Sequence, residues 1–462
     1  MAKKRNIGLV SAVISILVVL GLLGWLFMTI FESEKPQIQL VPLPDFFPEK
    51  QEVVLTVTDV KRGIRRVEAC VKQADRKITV FEKTFPFEGL LNRKGTHRFE
   101  ARFPMDPSGL NLGQGQVDLY VSAWDYSRRS GGDGNLAIVE HKMTVDTIPP
   151  AIRALSSLNY VNAGGTGLAV YQTSSDATLS GLFVNDMFFP GFPAAEGAEE
   201  GMHVCYFCIP LDVKKRPEIY LWAEDRAGNR SRGIYNGHIR QKRFRTDKMD
   251  ITDRFLEQIL PYFGSYLKDV TGREIEKFLK INQGLRRENE LTFRDLRKET
   301  SPKMLWEGDW LRLKNAASMA RFGDRRLYYY NGEKVDEQTH MGVDLASLAN
   351  SEVQAANNGR VVYAEDLGIY GLTVVLDHGQ GLASTYSHLS KISVQKGQEV
   401  KKGDIVGTTG QTGLAGGDHL HYGVMVNGLF VNPIEWWDSH WIQDNVIQKL
   451  DLLKKRGKAT DS

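Results

Sequence analysis

Three stretches in the last third of the chain carry side chains able to bind a metal ion or move a proton. His340-Met-Gly-Val-Asp344 sets an imidazole and a carboxylate four residues apart. On a helix that spacing puts both groups on one face, but Gly342 and the β-branched Val343 disfavour helix. A strand bent at the glycine also converges them, and a neutral imidazole with a carboxylate suits Zn2+. His419-Leu-His421 has the geometry of a strand, in which residues two apart share a face at roughly 6.6–6.8 Å. One histidine of this pair can hold metal while its neighbour reaches water or substrate, and spacing does not say which. His388, in Thr385-Tyr-Ser-His-Leu389, is uninformative alone.

Such groups need a rigid scaffold, and the surrounding pattern supplies an all-β one. Strands are expected at Gly359–Tyr363, Leu372–Asp377, Ala383–Ser387, Ile405–Thr408 and His421–Val426. Turns at Asp377-His-Gly379, Lys402-Gly-Asp404 and Asn427-Gly428 separate them.

Residues 321 to 436 resemble the lysostaphin-type (LytM) peptidoglycan metalloendopeptidase family. The segments that carry the resemblance begin with Ala320-Arg-Phe-Gly-Asp324, His340-Met-Gly-Val-Asp-Leu-Ala346, Asn358-Gly-Arg-Val-Val362 and Tyr370-Gly-Leu-Thr-Val374. They continue through Asp377-His-Gly379, Tyr386-Ser-His-Leu389, Gly397 to Gly403 and Gly410-Gln-Thr-Gly413, to His419-Leu-His421 and Asn432-Pro433. The resemblance implies that His340, Asp344 and His421 ligate one Zn2+ per chain. It implies that His388 and His419 are the two non-ligand active-site histidines. The implied reaction is hydrolysis of peptide cross-links, with peptidoglycan peptide stems as the partner; the alternative is a non-enzymatic regulator of another wall hydrolase. Family members commonly carry proline before the first paired histidine and Phe-Glu after the second, whereas this chain has Asp418, Tyr422 and Gly423. None of these is a ligand position, although Asp418 could alter the local field. His378 is expected to be a structural turn residue, and His440, His97, His141, His203 and His238 are assigned no role. Tyr328-Tyr-Tyr330 and Trp436-Trp437 are read as packing or groove residues.

Upstream, Asp250 to about Thr300 has helical periodicity. Phe255, Ile259, Leu260 and Phe263 mark one face, and Ile275, Phe278 and Leu279 mark another. Pro261 should interrupt the first helix. The segment is a connector, or else a lid over the site that follows.

From Gln37 to Asp146 the pattern is that of short alternating strands at Glu52–Asp59, Arg66–Val71, Ile78–Phe81, Arg98–Phe103, Val117–Ala123 and Ala137–Val145. Tyr120-Val-Ser-Ala-Trp-Asp125 recurs as Tyr220-Leu-Trp-Ala-Glu-Asp225, and the proline pair Pro149-Pro150 marks a seam between the copies. The pattern resembles tandem bacterial immunoglobulin-like domains, which would act as spacers or as contact surfaces for wall or envelope proteins.

Ile7 to Phe31 is uncharged. At 1.5 Å per residue its 25 positions give roughly 37 Å, enough to cross a ~30 Å hydrocarbon core. Lys3, Lys4 and Arg5 precede it and should stay in the cytoplasm. The run is too long for a signal peptide and lacks a small-x-small cleavage site. The expectation is a single-pass inner-membrane anchor with the bulk of the chain extracytoplasmic.

A net charge of +3, from 59 basic and 56 acidic residues, gives no electrostatic reason to expect nucleic acid. Three cysteines cannot build a disulfide framework, and Cys205 and Cys208 read as buried thiols of a core strand. The expected fold is therefore mainly β. It runs as a cytoplasmic tail (1–6), transmembrane helix (7–31), two immunoglobulin-like sandwiches (36–147 and 148–247), a helical connector (250–300), an all-β LytM-type domain (301–440) and a C-terminal tail (441–462).

Overall fold

The computed structural model describes residues 3–43, 45–156, 159–194, 198–212 and 216–457. The chain is mainly β and divides into two compact units, Met1–Pro149 with Arg226–Asn229, and Pro150–Asp225 with Arg230–Ser462. The division falls on the Pro149-Pro150 pair, where neither residue can donate to a ladder.

The first unit begins with helix α1 (Lys3–Ile30). Within it, Leu9–Ile30 is long and apolar enough to cross a membrane, and its side chains are exposed from Leu9 to Met28. So large an apolar surface is costly in water, and it fits a single-pass anchor. Two sheets follow. Strands Gln37–Val41, Gln51–Thr58 and Arg98–Met105 form one, while Phe46–Phe47, Leu136–Val145, Gly115–Asp125, Ile64–Gln73 and Arg76–Thr84 form the other. Alternation along Gln51–Thr58 sends Val53, Leu55 and Val57 inward, and a single core joins them to Val67, Ala69, Val121 and Phe103. Every strand expected in this stretch overlaps an observed one.

In the second unit, two four-stranded sheets are built from residues 152–234. The repeated motif occupies equivalent places: Tyr120–Asp125 ends a central strand of its sheet, and Ile219–Asp225 does so between Ala177–Val184 and Arg230–Ile234. Cys205 and Cys208 are buried in Met202–Cys208 and unbridged, and burial pushes the Cys208 thiol up to about 12.

The segment that follows is helical, as its periodicity predicts. The α-helix Asp253–Ile259 changes to a 3-10 turn over Leu260–Phe263, because Pro261 has no N–H to donate. Glu274–Leu279, a π-helical stretch Lys280–Leu285 and Arg286–Leu296 complete it. The C-terminal portion is a sheet in the order 317–320, 343–346, 420–426, 382–389, 372–379, 359–366, 399–400. Four of the five expected strands run further than expected, and Ile405–Thr408 is found with the expected bounds. Leu372–Gly379 includes His378, which is therefore a strand residue and not a turn residue.

An apolar core runs continuously from Val170 and Phe207 through Trp306, Trp310 and Trp436 to Val424. Glu435 joins the same two regions, with Oε1 accepting from Asn162 Nδ2 at 2.7 Å and Oε2 from Thr166 N at 2.8 Å. Of the expected C-terminal tail, residues up to 457 are helical and bury Ile442, Val446 and Leu453; residues 458–462, like 1–2 of the N-terminal tail, lie outside the described residues.

Candidate metal centre

Strand pairing does most of the assembly. Leu420–Val426 lies between Val343–Ala346 and Leu382–Leu389, with Asp344 and Ser387 opposite His421 on its two sides. Antiparallel neighbours on one face stand about 5 Å apart, so a carboxylate and an imidazole meet directly. His340 arrives from the loop before Val343, its N–H donating to Asp324 O at 2.9 Å. The bend at Gly342 requires glycine, because a Cβ there would stand 2.5 Å from His421 Nε2 and 2.7 Å from Tyr422 O.

His340 Nε2 lies 2.9 Å from Asp344 Oδ1 and 3.0 Å from His421 Nδ1, and His421 Nδ1 lies 2.8 Å from Asp344 Oδ1. The three residues are buried. His340 Nδ1 sits 3.0 Å from the Arg321 carbonyl, which can only accept. Nδ1 therefore carries the proton and Nε2 turns its lone pair inward. Asp344 Oδ2 accepts from Arg326 Nη2 at 2.9 Å, leaving Oδ1 for the cluster. Electron-rich atoms this close need a cation among them, either a shared proton or a metal ion. Two imidazole nitrogens and one carboxylate oxygen, oriented from behind by Arg321 O and Arg326, are a donor set that fits a divalent ion.

His388 and His419 stand beside this set. His388 is the penultimate residue of strand Leu382–Leu389, at φ +60°, a left-handed backbone that costs a non-glycine residue on the order of 1 kcal/mol. Its Nδ1 donates to Thr412 O at 2.8 Å, and His419 Nδ1 donates to Gly417 O at 2.8 Å. In its neutral form each ring thus keeps Nε2 as an acceptor. His419 Nε2 is 3.6 Å from Asp344 Oδ1, and the two rings are 4.9 Å apart.

The electrostatics follow from burial and crowding. Burial opposes ionisation of Asp344, but His340, His419 and His421 together hold its carboxyl well below the usual range. His388 is pushed well below the ordinary imidazole value, first by burial and then by His419 and His421. Burial lowers His421 to about 4. For His419 burial pulls down, yet the contact with Asp344 leaves it raised.

These side chains line a cleft of about 450 Å³. Ile251, Phe255 and Phe278 from the connector and the strand before it form an apolar wall, with Arg286 and Arg326 as its positive groups. The connector is thus part of the cleft.

The five residues singled out in the sequence are brought together. Of the others, His378 is wholly buried, bonded to Asn358 O at 2.7 Å and Ser384 Oγ at 2.8 Å, and packed on Trp310. Tyr328 lines the cleft, whereas Trp436 is core and Trp437 stacks on Tyr422. Asp418 ties two loops, accepting from Thr409 Oγ1 at 2.6 Å and Asn350 N at 3.1 Å. Sequence reasoning did not find Arg326, the carbonyls of Arg321 and Thr412, or Tyr370, whose ring meets His421 at 5.6 Å. Arg321, Tyr370 and Thr412 lie in motif segments, whereas Arg326 falls between Ala320-Arg-Phe-Gly-Asp324 and Tyr328-Tyr-Tyr330 and belongs to neither.

With this geometry established, residues 338–433 match the model of Peptidase family M23. The DD-carboxypeptidase/endopeptidase Mpg of Neisseria meningitidis serogroup B is 37% identical over 95 residues, 21% of this chain and 22% of that protein. The peptidoglycan DD-endopeptidase ShyA of Vibrio cholerae serotype O1 is 40% identical over 96 residues, again 21% and 22%. The murein hydrolase activator EnvC of Escherichia coli K12 is 32% identical over 110 residues, 24% and 26%. The chain thus spans about a quarter or less of the length of these relatives.

Proposed function

Starting from a chain that carries an M23 (LytM-type) peptidase domain, we propose that it is a membrane-anchored zinc metalloendopeptidase that hydrolyses peptide cross-links of cell-wall peptidoglycan. One observation carries the reading: His340 Nε2, Asp344 Oδ1 and His421 Nδ1 meet at 2.8–3.0 Å with two further histidines alongside. His340, Asp344 and His421 would hold the ion. When bound, zinc supplies a Lewis acid that acidifies water and polarises a carbonyl.

The chain's own residues do the rest. Arg326 fixes the rotamer of Asp344, and Arg321 O fixes the tautomer of His340. Burial and its histidine neighbours keep His388 unprotonated at Nε2, its Nδ1–H being committed to Thr412 O, whereas contact with Asp344 favours the protonated form of His419. One can take a proton from attacking water while the other, in its protonated form, gives a proton of its own to the leaving amine. The wall of Ile251, Phe255 and Phe278 excludes water on one side and shapes an extended groove for a peptide stem.

Helix α1 would anchor the chain in the inner membrane, with Lys3, Lys4 and Arg5 cytoplasmic and the bulk extracytoplasmic. The β units over 36–147 and 148–247 would be immunoglobulin-like spacers that carry the 301–440 domain to its substrate and offer surfaces to wall or envelope proteins.

The similarity to EnvC favours a second reading, that of a non-enzymatic activator. Digestion separates the two. The full chain with zinc should release new free amino groups from purified cross-linked muropeptides, and a chelator should stop it. Intact muropeptides combined with stimulation of an added wall hydrolase would overturn the enzyme in favour of the activator.

A further inference from the structure

Helix α1 runs into the first unit without a flexible linker. Arg128 N donates to Ile30 O at 2.9 Å, and Arg129 Nε donates to Phe31 O at 2.8 Å. Ser127 Oγ and Asn135 Nδ2 donate to Glu32 O at 2.8 and 3.1 Å. The loops around residues 59–63, 86–95 and 126–135 therefore surround the point where the apolar helix ends.

A groove of about 540 Å³ opens at that point. Ile30, Phe87 and Tyr126 give it apolar walls, Arg62, Arg65 and Arg128 give it charge, and no acidic residue lines it. Among the described residues none of these arginines is in an ion pair. Neutral carbonyls position two of them instead. Arg62 Nη1 donates to Leu91 O at 3.0 Å and Nη2 to Tyr126 O at 3.3 Å, while Arg65 Nη1 donates to Gly132 O at 3.0 Å. The nearby buried acids are already engaged: Asp59 Oδ1 accepts from the Arg62 and Gly63 amides, Asp125 from Ser127 and Asn135, and Glu32 from Glu34 N and Asn135 Nδ2. Their charge acts on buried Arg62, which leaves Arg65 and Arg128 as the groove's outward cations. Beside the arginines, the same loops expose apolar side chains, Val60 at 83%, Phe87 at 50% and Leu90 at 80%. Guanidinium groups with apolar neighbours at a helix exit suit an interface where phosphate overlies hydrocarbon.

We propose that this groove holds the headgroup of an anionic phospholipid from the leaflet at which α1 ends, the Arg65 and Arg128 guanidinium groups taking the phosphodiester and Phe87, Leu90 and Val60 entering the acyl boundary. The proposal rests on the reading of α1 as a membrane anchor. Its consequence is that the first unit is seated on the bilayer and not swinging freely above it.

The test uses the full chain in lipid nanodiscs of phosphatidylcholine alone and of phosphatidylcholine mixed with phosphatidylglycerol. Hydrogen exchange over residues 59–66, 86–94 and 126–134 should slow in the anionic discs, while the strands of the same unit exchange equally in both. Arg65→Gln with Arg128→Gln should abolish the difference, a roughly 10-fold or greater weakening of lipid retention if each charge at the surface counts as is usual. Arg65→Lys with Arg128→Lys should keep most of it, so a glutamine variant that fails to fold still leaves a reading. Equal exchange in the two lipids, or a lipid effect that survives the glutamine pair in a folded chain, would overturn the proposal. Protection by free glycerol phosphate in phosphatidylcholine discs would assign the groove to a soluble anion and overturn the lipid. A chain that stays out of the discs would overturn the anchor itself.

Discussion

Glu435 offers a quantitative test of how the C-terminal domain is joined to the sheets before it. Its carboxylate is buried between Asn162 and the Thr166 amide, and burial pushes it up to about 7 from an ordinary value of 4.5. The folded chain therefore holds the proton more tightly than the unfolded chain does. Stability from this site is complete below pH 4.5, declines as pH rises, and is gone above about pH 7. A rise of that size corresponds to about 3 kcal/mol. Glu435→Gln removes the titration while keeping the volume. It also sets an amide nitrogen against one of the two donors, a pH-independent cost of about 1–3 kcal/mol. The informative quantity is thus the difference in stability between wild type and variant as a function of pH. In detergent, thermal unfolding at pH 5, 6, 7 and 8 should show the wild type losing stability relative to Glu435→Gln by about 3 kcal/mol, then a plateau. In a unit this large that is roughly 5 °C in Tm. A difference that stays flat from pH 5 to 8 would refute the buried, proton-holding pin.

Other outcomes follow from the site. Arg326→Ala frees Asp344 Oδ2, and zinc affinity measured by competition with a chelator should fall about 10–100-fold. Gly342→Ala drives a methyl group into His421 Nε2, so metal content should drop even though no ligand is replaced. His388→Ala should leave metal content unchanged while kcat/KM on cross-linked muropeptides falls about 10²–10⁴-fold. Phe278→Ala should raise KM more than it lowers kcat, because it removes cleft wall and no proton-carrying group.

Much of this centre was legible in the sequence because strand alternation is local. His419 and His421 share a face by spacing alone, and the quoted motif segments span the strands that bring Asp344 and His388 to them. Gly342 could be read as a bend, though not that its missing Cβ makes room for an imidazole. Partners supplied by tertiary structure left no such trace. Arg326 is a single arginine in a strand, and the carbonyls of Arg321 and Thr412 have no side-chain signature at all. The connector shows the same divide. Its helical faces and the break at Pro261 follow from periodicity and a missing N–H, whereas the placement of Phe255 and Phe278 on the cleft depends on which neighbour their apolar faces meet. The shared core from Val170 to Trp436 and the helical packing of Ile442, Val446 and Leu453 were hidden likewise, since a short apolar pattern does not name its partner.

Metal analysis of the purified full chain beside its single-site variants tests the central claim most directly. The account predicts about one zinc per chain in the wild type and in His388→Ala, and little or none in His340→Ala or His421→Ala. Zinc retained undiminished after loss of both His340 and His421 would contradict it.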